Sequence, residues 1–510
     1  MSDWTGGYVT DTQYTFGYYP ELNPARVAWA LLSRGLRPPR VSTACELGFG
    51  LGVSTCIHAV SNKHVNWWGN DFNPGQVYFA QELARLSKRP IALFEDSFEE
   101  FADRKDLPPF DFIGAHGVLS WISAENVGHI LRIIRGSLKP GGVAYFGYNV
   151  LPGWANFLAI RRLLLAEVKS VLPEHAPTRD KVRHARSVLE QLVETNPIPF
   201  TIVPSLNQDI RTVLSRPDAY LAHEFFNADW HPFHVDQVFS LLRSAKLEFA
   251  ASLNPVEPFS SLNLSSSGLR FMEARSGTGN QQGWRDFLVN ESFRRDLFVK
   301  GGSPLNVGER DSLVDALWVR PRLAPRDDDF RLKGARSSGT LDVGAFGTAR
   351  DILEEHGSQT VRAFSDRLNA RGISLDRNEV LMGLEAKGWA WVVDVLPEEA
   401  IDHDARLRLN AWGISDSEFN HRLGYLIHPS GEPIEVNQVE CRWLNYCHTD
   451  LGIDEISIKI ADDFRRAGIQ LLDDQGGSIG PLQAKDRVMA LIDKLMQSGD
   501  RKARLQECLL

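Results

Sequence analysis

The sequence predicts an α/β fold built on a parallel, doubly wound sheet, and two observations carry that reading. From residue 41 onward, short apolar runs alternate with stretches of helical periodicity, giving five strands and four helices within about 110 residues. A glycine-rich loop, "ELGFGLG" (46–52), follows the first strand, where sheets of this kind bring backbone close to a ligand.

The elements follow in order. "VSTACELG", "VNWWGND", "IALFEDS", "FDFIGAHGV" and "GGVAYFGYNV" read as strands. "GVSTCIHAVSN", "PGQVYFAQELARLS", "FEEFADR" and "AENVGHILRIIRGSL" read as the helices between them. An earlier helix, "PARVAWALLSRGL", has Pro24 near its start and Gly35 at its end. After Trp154 the pattern turns helical over 155–195 and 208–245, with "NPIPFTIVPS" as a break. "AKLEFAASL" and "SFRRDLFVKGG" then supply a sixth and a seventh strand, so the helical stretch is an insertion between strands five and six. "RPRLAPRDDDFRLKGARSSG" (320–339) reads as a linker or extended arm. The expected organisation is a ligand-binding core over 1–154, a helical insertion or substrate cap over 155–243, and completion of the sheet over 244–302. A linker over 303–340, a winged-helix-like module over 341–400 and an α+β module over 401–510 complete the chain.

Bulk properties narrow the function. A chain of 510 residues with 43% hydrophobic and 24% charged residues reads as a folded globular protein of several domains. A net charge of −9 argues against a molecule-wide attraction for nucleic acid, and the basic run at 179–192 reads as a solvated helix face. Five cysteines without framework spacing point to a reducing compartment. No leader is visible and no apolar run of about 18 residues occurs, so the expectation is a cytoplasmic protein without a membrane span. Cys441, Cys447 and His448 are too loosely spaced for a zinc knuckle, and His223, Glu224, His231 and His234 match no zinc template, so no metal is expected. Those histidines read as structural, with His223 or Glu224 near an acceptor as the alternative.

The acid ahead of the glycines identifies the ligand class. Gly48, Gly50 and Gly52 form G-x-G-x-G rather than the dinucleotide G-x-G-x-x-G, and Glu46 stands two residues before the first. A partly buried carboxylate repels a pyrophosphate, whereas it tolerates S-adenosylmethionine, which carries a sulfonium and an ammonium. Asp71, ending strand two, can accept from both ribose hydroxyls. Asp96, ending strand three, can accept from the adenine amino group, with Ser97 assisting; an acid at a strand end is otherwise often a helix cap.

At "CELGFGLGVS", "GNDFNPGQV", "FEDSF", "FDFIGAHGVLSWIS", "LKPGGVAYFGYNVLPGW" and "YLAHEFFNADWHPFHVDQVFSLLRSAKLEF" the chain resembles class I S-adenosylmethionine methyltransferases. It is most similar to the bacterial subgroup with a methyltransferase regulatory domain, which includes the rickettsial outer-membrane-protein lysine methyltransferases. The resemblance covers about residues 14–300 and implies a Rossmann-like seven-stranded sheet. Phe49 departs from the small or cysteine residue common in the first motif. The resemblance implies cofactor contacts at Glu46, Gly48, Gly50, Asp71, Phe72, Asp96 and Ser97, and at His116 and Gly117 after strand four. Tyr18 and Tyr19 stand as a lid over the methionine end, or as packing of an N-terminal arm.

Methyl transfer is an in-line displacement that needs alignment and exclusion of water more than a dedicated base. Tyr148 or Asn149, ending strand five, is expected to orient the acceptor, while Trp121 and Trp154 read as wall packing. The implied acceptor is a protein lysine. The alternative is a small molecule, glycan or natural-product peptide, with the C-terminal modules used for homodimerisation. A third reading, a non-catalytic scaffold, sits poorly with intact Glu46, Asp71 and Asp96.

Overall fold

The computed structural model describes residues 4–12, 16–323, 329–415, 424–467 and 480–510. Seven strands form the main sheet: β1 (Thr43–Leu47), β2 (Asn66–Asp71), β3 (Ile91–Glu95), β4 (Phe110–His116), β5 (Leu138–Asn149), β6 (Glu248–Ser252) and β7 (Phe293–Val299). Their order is β3-β2-β1-β4-β5-β7-β6. The first five are parallel, and β7 runs antiparallel to both β5 and β6. The chain reverses its direction of winding between β1 and β4, so the crevice at their carboxyl ends is where such a sheet binds ligand.

The alternation of apolar runs explains the burial. Ala44, Cys45 and Leu47 on β1 and Phe110, Phe112, Ile113 and Ala115 on β4 are fully buried, because helices cover both faces of a parallel sheet. The helix behind the glycine loop, Val53–Ser61, is buried along its whole length. Its outer side is covered by the C-terminal module: Ala405, Leu409 and Ile427 share a core with Val53, Ile57 and Val60. The module is therefore packed directly behind the ligand-binding loop.

The insertion comprises the helices Ala155–Val171, Thr178–Glu194, Ile198–Ile202, Pro204–Leu214, Asp218–Phe226 and Val235–Ser244. It has a core of its own around Phe157, Leu164, Leu189, Ile210 and Phe225. The expected break at 196–205 is corrected: two helices begin there. Pro199 and Pro204 lie in their first turns, where the missing N–H is not needed.

The expected linker is also corrected. Residues 303–340 contain the helix Val307–Asp315 and three strands, β8 (Trp318–Pro321), β9 (Arg331–Lys333) and β10 (Ser338–Thr340). Its segment 324–328 lies outside the described residues. With β11 (Gln359–Thr360) and β12 (Ala390–Val393), β8 makes an antiparallel sheet in which it is central. The arginines that suggest a linker are accommodated by the last module: buried Arg320 donates to the Ser430 carbonyl at 3.3 Å, and Arg322 pairs with Glu432. The helices Val343–His356, Val361–Ala370 and Arg377–Lys387 pack on this sheet, together with Trp29 and Leu32 from the N-terminal helix. Among the described residues no helix is long and apolar enough to cross a membrane.

Candidate functional site

The glycine loop turns sharply between β1 and its helix. Gly48, Gly50 and Gly52 all have φ near +60° (67°, 59° and 67°), a region other residues rarely occupy. At Gly52 a side chain is doubly excluded, because a Cβ would stand 2.5 Å from the Cβ of Ala80. Two acids flank the loop. Glu46 is buried at the end of β1, where its carboxylate accepts a hydrogen bond from the Thr55 hydroxyl. Asp71 is buried at the end of β2 and accepts from the N–H groups of Gly50 and Asn73, both at 2.9 Å. Burial raises both: Glu46 is pushed up to about 8, with Asp71 adding to the effect. Asp71 is pushed up to about 6, against the pull of its backbone donors.

His116, at the end of β4, forms the opposite wall. Its ring stacks on Tyr19 with centroids 3.8 Å apart, and its Nδ1 lies 2.8 Å from the Tyr145 hydroxyl. Burial lowers the imidazole to about 4, so it is neutral at physiological pH. The neighbouring Gly117 donates its N–H to the Gly147 carbonyl. Gly147 leaves room for this group, since a Cβ there would come within 3.1 Å of both His116 Nδ1 and the Tyr145 hydroxyl. Tyr19 is held by its N–H to Ser54 Oγ at 2.9 Å. Between the glycine loop, Tyr19 and His116 lies a cavity of about 40 Å³.

Phe72, Asp96 and Ser97, expected at the nucleoside, follow the ends of β2 and β3. Phe72 meets the rings of Tyr8 and Trp4 at 5.5 and 6.0 Å. One Asp96 oxygen is paired with Arg104 at 3.1 Å, and Arg104 lies flat on Phe94. Ser97 caps the helix Phe98–Asp103, its hydroxyl accepting from Glu100 N–H while Glu100 accepts from Ser97 N–H.

Several expected residues fall elsewhere. Tyr18 turns away from Tyr19 and packs on His58 and Tyr425, so of the two tyrosines it is Tyr19 that faces the loop. Tyr148 is not brought to the cavity. Its hydroxyl donates to Asp296 at 2.6 Å inside a buried cluster with Arg294 and Asp286. The reason is the two-residue period of a strand: Tyr145 and Tyr148 lie on opposite faces of β5. Asn149 is buried, with its N–H bonded to Ser120 Oγ and its amide nitrogen without a partner among the described residues. The His223 ring lies against Tyr8 and its Nε2 is 3.2 Å from the Thr12 carbonyl. Glu224 accepts from Trp230, and Trp154 bonds the Ser292 carbonyl, both as packing groups. Thr55, Tyr145, Gly147 and Tyr8 were not anticipated. Thr55 had a usable signal, a hydroxyl on the first turn after the loop that can reach back to Glu46.

Residues 217–300 match the family model described as "Predicted methyltransferase regulatory domain". In this chain that segment is not a separate body: it contributes β6 and β7 to the main sheet. The structure of PKMT2 from Rickettsia typhi in complex with AdoHcy superposes with a TM-score of 0.64 at 19% identity, covering 96% of this chain and 99% of that one. The chain has a class I methyltransferase fold. An uncharacterized protein of Synechocystis is 36% identical over 302 residues, 58% of this chain and 59% of its own length. An uncharacterized Rickettsia prowazekii protein is 25% identical over 294 residues, 56% of this chain and 52% of its own. The chain thus spans little more than half the length of these curated relatives.

Proposed function

We propose that this protein is an S-adenosylmethionine-dependent methyltransferase whose acceptor is a lysine side chain of a protein. The observation that carries the cofactor assignment is the pair Glu46 and Asp71, two buried acids at the glycine loop and the switch point of the sheet. Burial drives both toward the neutral form, and a cationic ligand reverses that penalty by favouring the charged form. The fold match to a chain in complex with AdoHcy, the demethylated form of the same cofactor, supports this reading.

The residues fit the group. Gly48 and Gly50 let the backbone approach it, Glu46 faces its cationic end and Asp71 takes the ribose. Phe72, Asp96 and Ser97 take the adenine, with Asp96 using the oxygen that Arg104 does not hold. Tyr19, His116 and Gly117 border the methionine end. When bound, the cofactor supplies a methyl group activated on sulfonium. The protein's part is to align the acceptor and exclude water. An acceptor ammonium must first lose its proton, and the low-polarity wall of Tyr19, His116, Tyr145 and Phe293 favours the neutral amine. The neutral His116 ring adds no charge to oppose a methylammonium, which aromatic faces hold by cation–π contact. Asn149, with its unpartnered amide nitrogen, is the better candidate of the strand-five pair for orienting the acceptor.

Five free thiols, four of them buried, suit a cytoplasmic location. The second reading is a small-molecule, glycan or peptide acceptor, with the C-terminal modules serving homodimerisation. Incubation with methyl-labelled cofactor and cell lysate separates the two. Label in protein bands, hydrolysing to methyl-lysines, is the expected result; label confined to small molecules overturns the lysine reading.

A further inference from the structure

Residues 4–12 form a tethered strap rather than a loose tail. Val9 is buried in the core of the insertion beside Phe157 and Phe225. Its N–H donates to Asn227 Oδ1 at 2.9 Å, and Ala228 N–H donates to the Gly7 carbonyl at 2.9 Å. Thr178 N–H donates to Asp11 Oδ2 at 2.8 Å, and His223 Nε2 meets the Thr12 carbonyl. Gly7 is fitted to this seat: its φ is +81°, and a Cβ there would lie 2.5 Å from the Cβ of Ala228. Between these anchors Tyr8 sits with its ring edge-on to Phe72 at 5.5 Å and against His223 at 5.4 Å.

We infer that Tyr8 is a nucleoside-binding residue of the cofactor site, held beside Asp71 and Phe72 by its anchor on the insertion. The inference rests on the methyltransferase reading and deepens it, because it makes the insertion a determinant of cofactor affinity. The chemistry suits the position. Burial, with Asp71 adding to it, raises the Tyr8 phenol, which therefore stays protonated and can donate a hydrogen bond to a ribose oxygen. Asp71 supplies only acceptors, so the phenol adds the donor that the carboxylate lacks. The ring extends the aromatic surface that begins at Phe72. Because the strap is seated on residues 178, 223, 227 and 228, a shift of the insertion moves Tyr8 relative to Asp71.

The test is calorimetric titration of the full chain with AdoHcy and with methylthioadenosine, which keeps the nucleoside and lacks the amino-acid end. Tyr8→Ala is expected to weaken both ligands by about tenfold, and Tyr8→Phe by a smaller factor. Gly7→Val, which touches no ligand, is expected to weaken both as Tyr8→Ala does, by lifting the strap from its seat. Unliganded melting temperature, measured alongside, shows that Tyr8→Phe remains folded if Gly7→Val does not. Wild-type affinity in Tyr8→Ala, with binding lost in Asp71→Ala, overturns this inference and leaves the methyltransferase reading standing. No uptake of AdoHcy by the wild-type chain overturns both.

Discussion

Glu46 and Asp71 beside the glycine loop, and Asp286 and Asp296 near the other side of the sheet, are both pairs of buried carboxylates, but their surroundings differ. In the second pair a buried Arg294 stands between the acids, 2.6 Å from each. Tyr148 donates to Asp296, Gln282 accepts from Arg294, and the two acids hold the guanidinium firmly in its charged form. In the first pair the acids are met by one hydroxyl and two backbone N–H groups. A buried acid pair that contains its own cation is a structural joint. A pair held only by neutral donors remains suited to a cation from outside, so the same residue type serves packing in one place and fits the proposed binding role in the other.

Removing the internal cation is the most disruptive way to test this contrast. Arg294→Met leaves Asp296 and the Tyr148 phenol against an apolar side chain, with Asp286 keeping only Arg285 at 3.8 Å, and should cost about 3–5 kcal/mol of stability in urea unfolding. Adding Asp286→Asn and Asp296→Asn to the same chain should recover much of that loss, because the unpaired charges then disappear. A loss below about 1 kcal/mol in the single variant would show that the cluster is not the joint it resembles. The second largest effect belongs to the other pair and appears in binding. Asp71→Ala should weaken AdoHcy by about 1–3 kcal/mol in calorimetric titration, since a charge-assisted hydrogen bond is lost. Its unliganded stability should change less than that of Arg294→Met.

The difference between the two pairs also explains what could be read in advance. Glu46, the glycines, Asp71 and Asp96 are fixed by short-range pattern, each at the end of a run whose period identifies the strand. The first five strands were legible for the same reason. Tyr148 was misplaced because the strand-five run gives no parity. β5 begins at Leu138, and its pairing with β4 shifts register between Phe110 and Phe112, so which tyrosine faces the loop depends on an irregularity outside the run. The role of β8 was hidden because its pairing partners, β11 and β12, lie about 40 and 70 residues downstream. Tyr8 was hidden because its two neighbours, Phe72 and His223, meet only through folding of the insertion. Local chemistry is visible in a sequence; the partner that completes or cancels it often is not.

Protonation sharpens the comparison with a smaller effect. Glu46 has a folded-state value of about 8, above its ordinary value of 4.5, so between those limits the folded chain holds a proton that the unfolded chain has released. Its contribution to stability is therefore fully present below about pH 4.5 and is lost as pH rises toward 8. Comparing urea midpoints of the wild type and Glu46→Gln across that range should show the wild type losing ground as pH rises. Binding of the cationic cofactor should ionise Glu46 and release about one proton near pH 7. Titrations in buffers of different ionisation enthalpy measure that proton directly. Equal enthalpies in all buffers would mean that Glu46 does not face the cationic end.

Ser97 provides the smallest effect and a local form of the same question, whether a polar group is committed to the fold or open to a ligand. Its hydroxyl oxygen accepts from Glu100 N–H at 3.2 Å, which leaves its own hydrogen able to donate. Ser97→Ala should cost about 1 kcal/mol of stability by removing the cap. Ser97→Asp preserves a capping acceptor but cannot donate, so it separates the two roles. If AdoHcy binding weakens in both variants while stability falls only in Ser97→Ala, the serine serves cap and ligand together. If affinity is unchanged in both, Ser97 is a cap alone, and Asp96 and Phe72 carry the adenine side without it.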